Sequence, residues 1–112
     1  MANICNNRFI LHCDNNYNKY LNKFEDLFEN NLDGDITWGS TPDKDYNGEG
    51  SFEGFFESRW VFPLDLISKI LENSSNEDNV YFRCLSEEYG TGYVAMNIYE
   101  DNEWRDEQCF DI

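Results

Sequence analysis

Positive charge is scarce in this chain. Eight Lys and Arg face twenty-three Asp and Glu over 112 residues, a formal net charge of −15. The excess is spread over the whole length: residues 1–33 carry five acids and three bases, 34–62 six and two, 63–100 seven and two, and 101–112 five and one. A folded domain of this charge repels phosphate backbones, so direct nucleic-acid binding is not expected. Histidine is represented by His12 alone. No apolar run approaches the roughly 18 residues of a membrane helix. The opening "MANICNNRF" has neither a basic segment nor a long apolar one, unlike a secretory leader, so a cytoplasmic protein away from membranes is the expectation. Prolines number two, and no segment is of low complexity or repeated.

Cysteine is present four times, as Cys5, Cys13, Cys84 and Cys109, but never at a CxxC spacing. Cys5, Cys13 and Cys84 fall in strand-like stretches, where a thiol packs as a small hydrophobe. They are expected to be reduced and unmetallated, and no cofactor is expected. One histidine without a recognisable Ser or Cys nucleophile motif gives no catalytic constellation. Asp43, Asp45, Asn47 and Glu49 alternate in a glycine-containing loop, but without the sixth-position glycine and final glutamate of a calcium loop. A solvated loop is the simpler reading.

What the chain has in plenty is aromatic side chains, 17% of residues. Its patterning predicts an α+β fold. "NICNNRFILHC" (3–13) alternates as a strand. Asp14 or Asn15 offers an N-cap for a helix whose stripe is Tyr17, Leu21, Phe24, Leu27 and Phe28, ending near Asn30 and Asn31. "ITW" (36–38) is a short strand, and 39–50 is a loop. "SFEGFFESRW" (51–60) alternates again: Phe52, Gly54, Phe56, Ser58 and Trp60 on one face, Glu53, Phe55, Glu57 and Arg59 on the other. That is a strand with one side on a core and one side wet. It predicts Phe52, Phe56 and Trp60 buried against helices containing Phe24 and Ile67. Pro63 suits the first position of a second helix with a stripe of Leu64, Ile67, Ile70 and Leu71. Residues 80–88 and 93–99, joined through Gly90-Thr91-Gly92, read as a hairpin.

The order predicts a ferredoxin-like split βαβ sandwich, βαββαβ plus one extra strand pairing with the fourth, with two helices on one face of an antiparallel sheet. One domain spans 1–112, with 100–112 an acidic extension that docks through Trp104, Cys109 and Phe110. RNA-recognition modules share this topology and stack bases on sheet aromatics. The corresponding rings here are Phe55, Tyr81, Tyr93 and Tyr99, but Glu53 and Glu57 flank Phe55 on its own face. Those rings read better as core or as a protein-binding surface.

Four segments, in order, carry a resemblance: "MANICNNRF", "TWGS" (37–40), "FFESRWVFP" (55–63) and "LSEEYGTGY" (85–93). Together they resemble the YubB-type ferredoxin-like proteins. The resemblance implies a ferredoxin-like fold without an iron–sulfur cluster, carriage by phages and plasmids, and no catalytic residues to transfer. The chain departs from the pattern at Ile4, where the family has tryptophan, and after Trp38-Gly39, where a second aromatic is missing.

Charge, size and resemblance lead to a functional expectation. The chain is read as a non-enzymatic binding protein of a mobile element that occupies the basic channel of a host nucleic-acid-targeting defence enzyme, an anti-CRISPR or anti-restriction protein acting by nucleic-acid mimicry. The acids expected to face that partner are Asp43, Asp45, Glu49, Glu53, Glu57, Glu87 and Glu88. The alternative is an adaptor or homodimer that uses sheet aromatics.

Overall fold

Alternation along the first strand sets the architecture. In a computed structural model describing residues 4–40, 46–72, 74–90 and 92–111, the last six by backbone alone, strand β1 (Ile4–Cys13) turns Cys5, Asn7, Phe9, Leu11 and Cys13 to a buried face. It lies at the centre of a six-stranded sheet of order β2-β3-β1-β4-β5-β6, with all neighbouring strands antiparallel. The other elements are α1 (Tyr17–Asn30), β2 (Asp33–Gly39), β3 (Gly50–Arg59), α2 (Leu64–Leu71), β4 (Tyr81–Glu88), β5 (Tyr93–Glu100) and β6 (Glu103–Asp111). The molecule is therefore α+β, with two helices and a six-stranded antiparallel sheet compatible with a split βαβ sandwich. No helix among the described residues is long and apolar enough to cross a membrane.

The core is an aromatic cluster between the helices and one face of the sheet. Phe9 stacks on Phe24 of α1 at 5.3 Å and on Phe82 of β4 at 5.8 Å, and meets Phe52 and Phe56 of β3. Tyr17, Tyr20, Phe24 and Leu27 of α1 and Ile67, Ile70 and Leu71 of α2 complete it. Each fully buried ring of this kind contributes about 2–3 kcal/mol. Glycine makes room at Gly54, where a Cβ would lie 2.3 Å from the Asp35 carbonyl oxygen and 3.1 Å from the Phe9 ring. Cys5, Cys13 and Cys84 are buried thiols on the core side. Burial pushes the Cys84 thiol up to about 12 and the Cys13 thiol up to about 11, so neither is a nucleophile at neutral pH.

Several expectations are corrected. Phe52 and Phe56 are buried, but Trp60 is 46% exposed. The strand ends at Arg59, Trp60 takes a left-handed φ of 71°, and the Val61 amide turns back to the Arg59 carbonyl at 2.8 Å. The chain thus swings Trp60 outward, and Phe62 fills the core position against Phe82 and Trp104. Leu64, in the first turn of α2, is exposed. The residue preceding α1 is Asn16, whose side chain does not cap the helix but donates to the buried Asp78 carboxylate at 2.8 Å. Strand β2 is longer than the expected 36–38.

The acidic terminus is not an appended tail but a strand, β6, paired along β5. Asp101 and Asn102, both at positive φ, make the tight turn between them, a conformation that Asp and Asn tolerate better than most residues. Trp104 packs edge-on against Tyr99, Phe82 and Phe62.

Candidate protein-binding face

The helices cover one side of the sheet. The period of two places the remaining side chains of β1, β3, β4 and β5 on the opposite, open side. Cross-strand register arranges them in rows. One row runs Asp33, Glu57, Asn6, Glu87 across β2, β3, β1 and β4. The next runs Asp35, Phe55, Arg8, Leu85, Met96 into β5. A third runs Trp38, Glu53, Ile10, Arg83, Ile98, Arg105 out to β6. Register shifts in β2 between Ile36 and Trp38, and the bulge turns Trp38 to the open side after Ile36 has packed on the core.

This face has two halves. The β2–β3 half carries Asp33, Asp35, Glu53 and Glu57 around two exposed rings, Phe55 at 46% and Trp38 at 51%. The half toward β6 carries Arg8, Arg83 and Arg105 between Ile10, Leu85, Met96 and Ile98. Arg105 pairs with Glu100 at 2.8 Å. Among the described residues, no ion pair reaches Arg8, Arg59 or Arg83, and none reaches Asp33 or Glu57. Asp33 and Glu57 stand directly opposite each other, an arrangement that destabilises a sheet.

The expected partner acids are not all brought together. Glu53, Glu57 and Glu87 share the open face. Glu49, just before β3, turns its carboxylate toward His12 at the end of that face, 3.6 Å from Nε2. Asp43 and Asp45 lie outside the described residues. Glu88 is a correction: it is 2% exposed on the helix side, and its carboxylate accepts the Gly90 amide at 2.6 Å. Adjacent strand residues face opposite ways, so Glu87 and Glu88 never share a surface. The alternation that turns Phe82 and Cys84 inward continues through Ser86 to Glu88. Of the four proposed rings, Phe55 and the half-buried Tyr81 belong to the open side, while Tyr93 and Tyr99 share the helix side with Glu88 and Phe82.

Two buried polar knots lie beneath the face and serve the fold. Asn7 donates to the Phe56 carbonyl at 3.1 Å and Ser58 Oγ at 3.0 Å, and accepts from Ser86 at 2.6 Å, tying β1, β3 and β4. Asp78 accepts from Tyr20 and Asn16, with Lys19 Nζ at 3.8 Å, and fixes the β4 approach to α1. No family model, curated protein or solved structure matches the chain.

Proposed function

We propose that this chain is a non-catalytic binding domain whose open sheet face docks on a basic surface of another protein. The observation that carries this is the acidic half of the face. Like charges at Asp33 and Glu57 are set opposite one another, and among the described residues neither has an ion pair, not even with Arg59 two residues along β3; the exposed Phe55 lies beside them and the exposed Trp38 two register rows away. A partner's Lys or Arg would relieve that repulsion, and Trp38 and Phe55 would supply the anchors on which interface energy concentrates. The charge of −15 steers such a partner in from a distance.

The reading extends to fold and setting. The β1-α1-β2-β3-α2-β4 portion, with order β2-β3-β1-β4, fits the ferredoxin-like split βαβ plan, widened by β5 and β6. The resemblance to YubB-type proteins favours a phage or plasmid origin. The partner class that suits a carboxylate array is then a host defence enzyme whose nucleic-acid channel the domain occupies in the cytoplasm. Charge reversal tests it: replacing Asp33, Asp35, Glu53, Glu57 and Glu87 together by Lys abolishes capture of such a partner while the domain stays folded. Retention of capture by that variant overturns the reading.

A homodimer is the second reading, favoured by Arg8 and Arg83, which share the face with the acids and have no ion-pair partner among the described residues. A second copy laid face to face offers Glu53 and Glu57 to them. Sedimentation separates the two, because the first reading expects a monomer at all salt concentrations and the second a dimer that dissociates as salt rises.

A further inference from the structure

At one corner of the molecule the β1–β3 ladder converges three ligating side chains. His12 lies opposite Ser51 in register. Asp14 lies one residue past the end of β1 and Glu49 one residue before the start of β3, so both flank the last pair of the ladder, Cys13 opposite Gly50, and their carboxylates reach His12. His12 Nε2 is 3.3 Å from Asp14 Oδ1 and 3.6 Å from Glu49 Oε2, and the three ligand atoms lie within 4.8 Å of one another. We propose that His12, Asp14 and Glu49 form a binding site for a divalent transition-metal ion, with Zn²⁺ as the best fit.

The two separations lie within ion-pair range and also suit donors that share one ion. A protonated imidazole hydrogen-bonded to a carboxylate sits at about 2.7–2.9 Å, and neither separation here is that short. Zn²⁺ holds nitrogen at about 2.0–2.1 Å and carboxylate oxygen at about 2.0–2.2 Å, which in a tetrahedron separates two donors by about 3.4 Å. The two observed separations bracket that value.

Supporting contacts hold two of the three donors, His12 and Asp14, from outside the trio. Ser51 Oγ lies 2.6 Å from His12 Nδ1. With a metal on Nε2, Nδ1–H donates to that oxygen and fixes the ring, as outer partners do in zinc sites. Asn79 Nδ2 donates to Asp14 Oδ2 at 2.9 Å, leaving Oδ1 to face His12. The imidazole selects against calcium and magnesium, which take all-oxygen shells. Two anionic carboxylates and one neutral imidazole leave a fourth position for water or for a group from a bound partner. The site stands apart from the Asp33–Glu57 pair, and the proposal does not depend on the binding reading.

The test is titration of the full chain, freed of metal by a chelator, with Zn²⁺ alone, followed by calorimetry and by thermal unfolding. One saturable equivalent is expected, with an unfolding temperature that rises with Zn²⁺ concentration. His12→Ala, Asp14→Asn and Glu49→Gln should each weaken binding at least about tenfold, the lower range of the loss seen even for outer-shell partners. Cys13→Ser, adjacent in sequence but buried on the other side of β1, should leave Zn²⁺ affinity unchanged. Circular dichroism establishes that the variants are folded, and Co²⁺ substitution reads the site independently through a tetrahedral absorption band lost in His12→Ala. The proposal is overturned by wild-type binding weaker than about 1 mM, by Zn²⁺ affinity that survives His12→Ala, or by Ca²⁺ binding as tight as Zn²⁺.

Discussion

Phe56 and Trp60 differ sharply in what their loss costs. Phe56 is fully buried between Phe9 and Phe28, so Phe56→Ala should cost about 3–5 kcal/mol in urea unfolding. Trp60, turned outward, should cost less than about 1 kcal/mol. Alternation along 51–60 made Phe52 and Phe56 legible, but nothing in it marks the left-handed turn at Trp60 that hands the core position to Phe62. Asp78 gives a second prediction at this scale. Burial alone would raise its carboxyl, but hydrogen bonds from Tyr20 and Asn16 and the Lys19 charge outweigh that and hold it below its ordinary 3.8. A depressed folded value means that Asp78 adds stability above the unfolded value, and that this is lost as pH falls through the folded one. Asp78→Asn should therefore be less stable than wild type at pH 7, with the gap narrowing below about pH 4 as Asp78 protonates. A gap that stays constant down to pH 2 contradicts this.

At the scale of elements, the edge strand β2 is where stability and binding pull apart. Asp33→Asn removes the repulsion across from Glu57, so it should raise stability by a few tenths to about 1 kcal/mol while weakening partner binding. Denaturant midpoints measured beside binding check both halves. The adjoining Gly54→Ala should be strongly destabilising, because the added methyl meets the β2 backbone at Asp35. The strands β1, β3, β4 and β5 and both helices were readable because long runs keep one period. β2 was only partly readable, since its bulge breaks the alternation and sends Trp38 to the face opposite Ile36. β6 was hidden by composition: its acids look like a solvated tail, and the only local sign of a strand is the Asp101-Asn102 turn before Trp104. The open face suffered likewise. Glu53, Glu57 and Glu87 follow from alternation, but their convergence with Asp33, Asp35, Arg8 and Arg83 depends on strand order, which periodicity does not encode.

For the whole molecule the dominant fact is −15 charges on a fold whose helix-covered side and open side do different work. The helix side holds the aromatic core, and the open side carries acids, rings and arginines in ordered rows. An acidic surface alone would serve solubility; the proposed basic partner rests on the Asp33–Glu57 opposition beside the exposed Phe55. The most direct measurement is capture of proteins from a cell lysate on the immobilised 112-residue chain, comparing wild type, the variant with Asp33, Asp35, Glu53, Glu57 and Glu87 replaced by Lys, and Phe55→Ala. Captured protein is then challenged with salt and with duplex DNA or RNA. The account predicts a nucleic-acid-binding partner held by wild type, released by salt and by nucleic acid, weakened by Phe55→Ala and lost with the five reversals. Capture that survives the five reversals, high salt and added nucleic acid, yet disappears with Phe55→Ala, contradicts it and makes the domain an aromatic-driven adaptor.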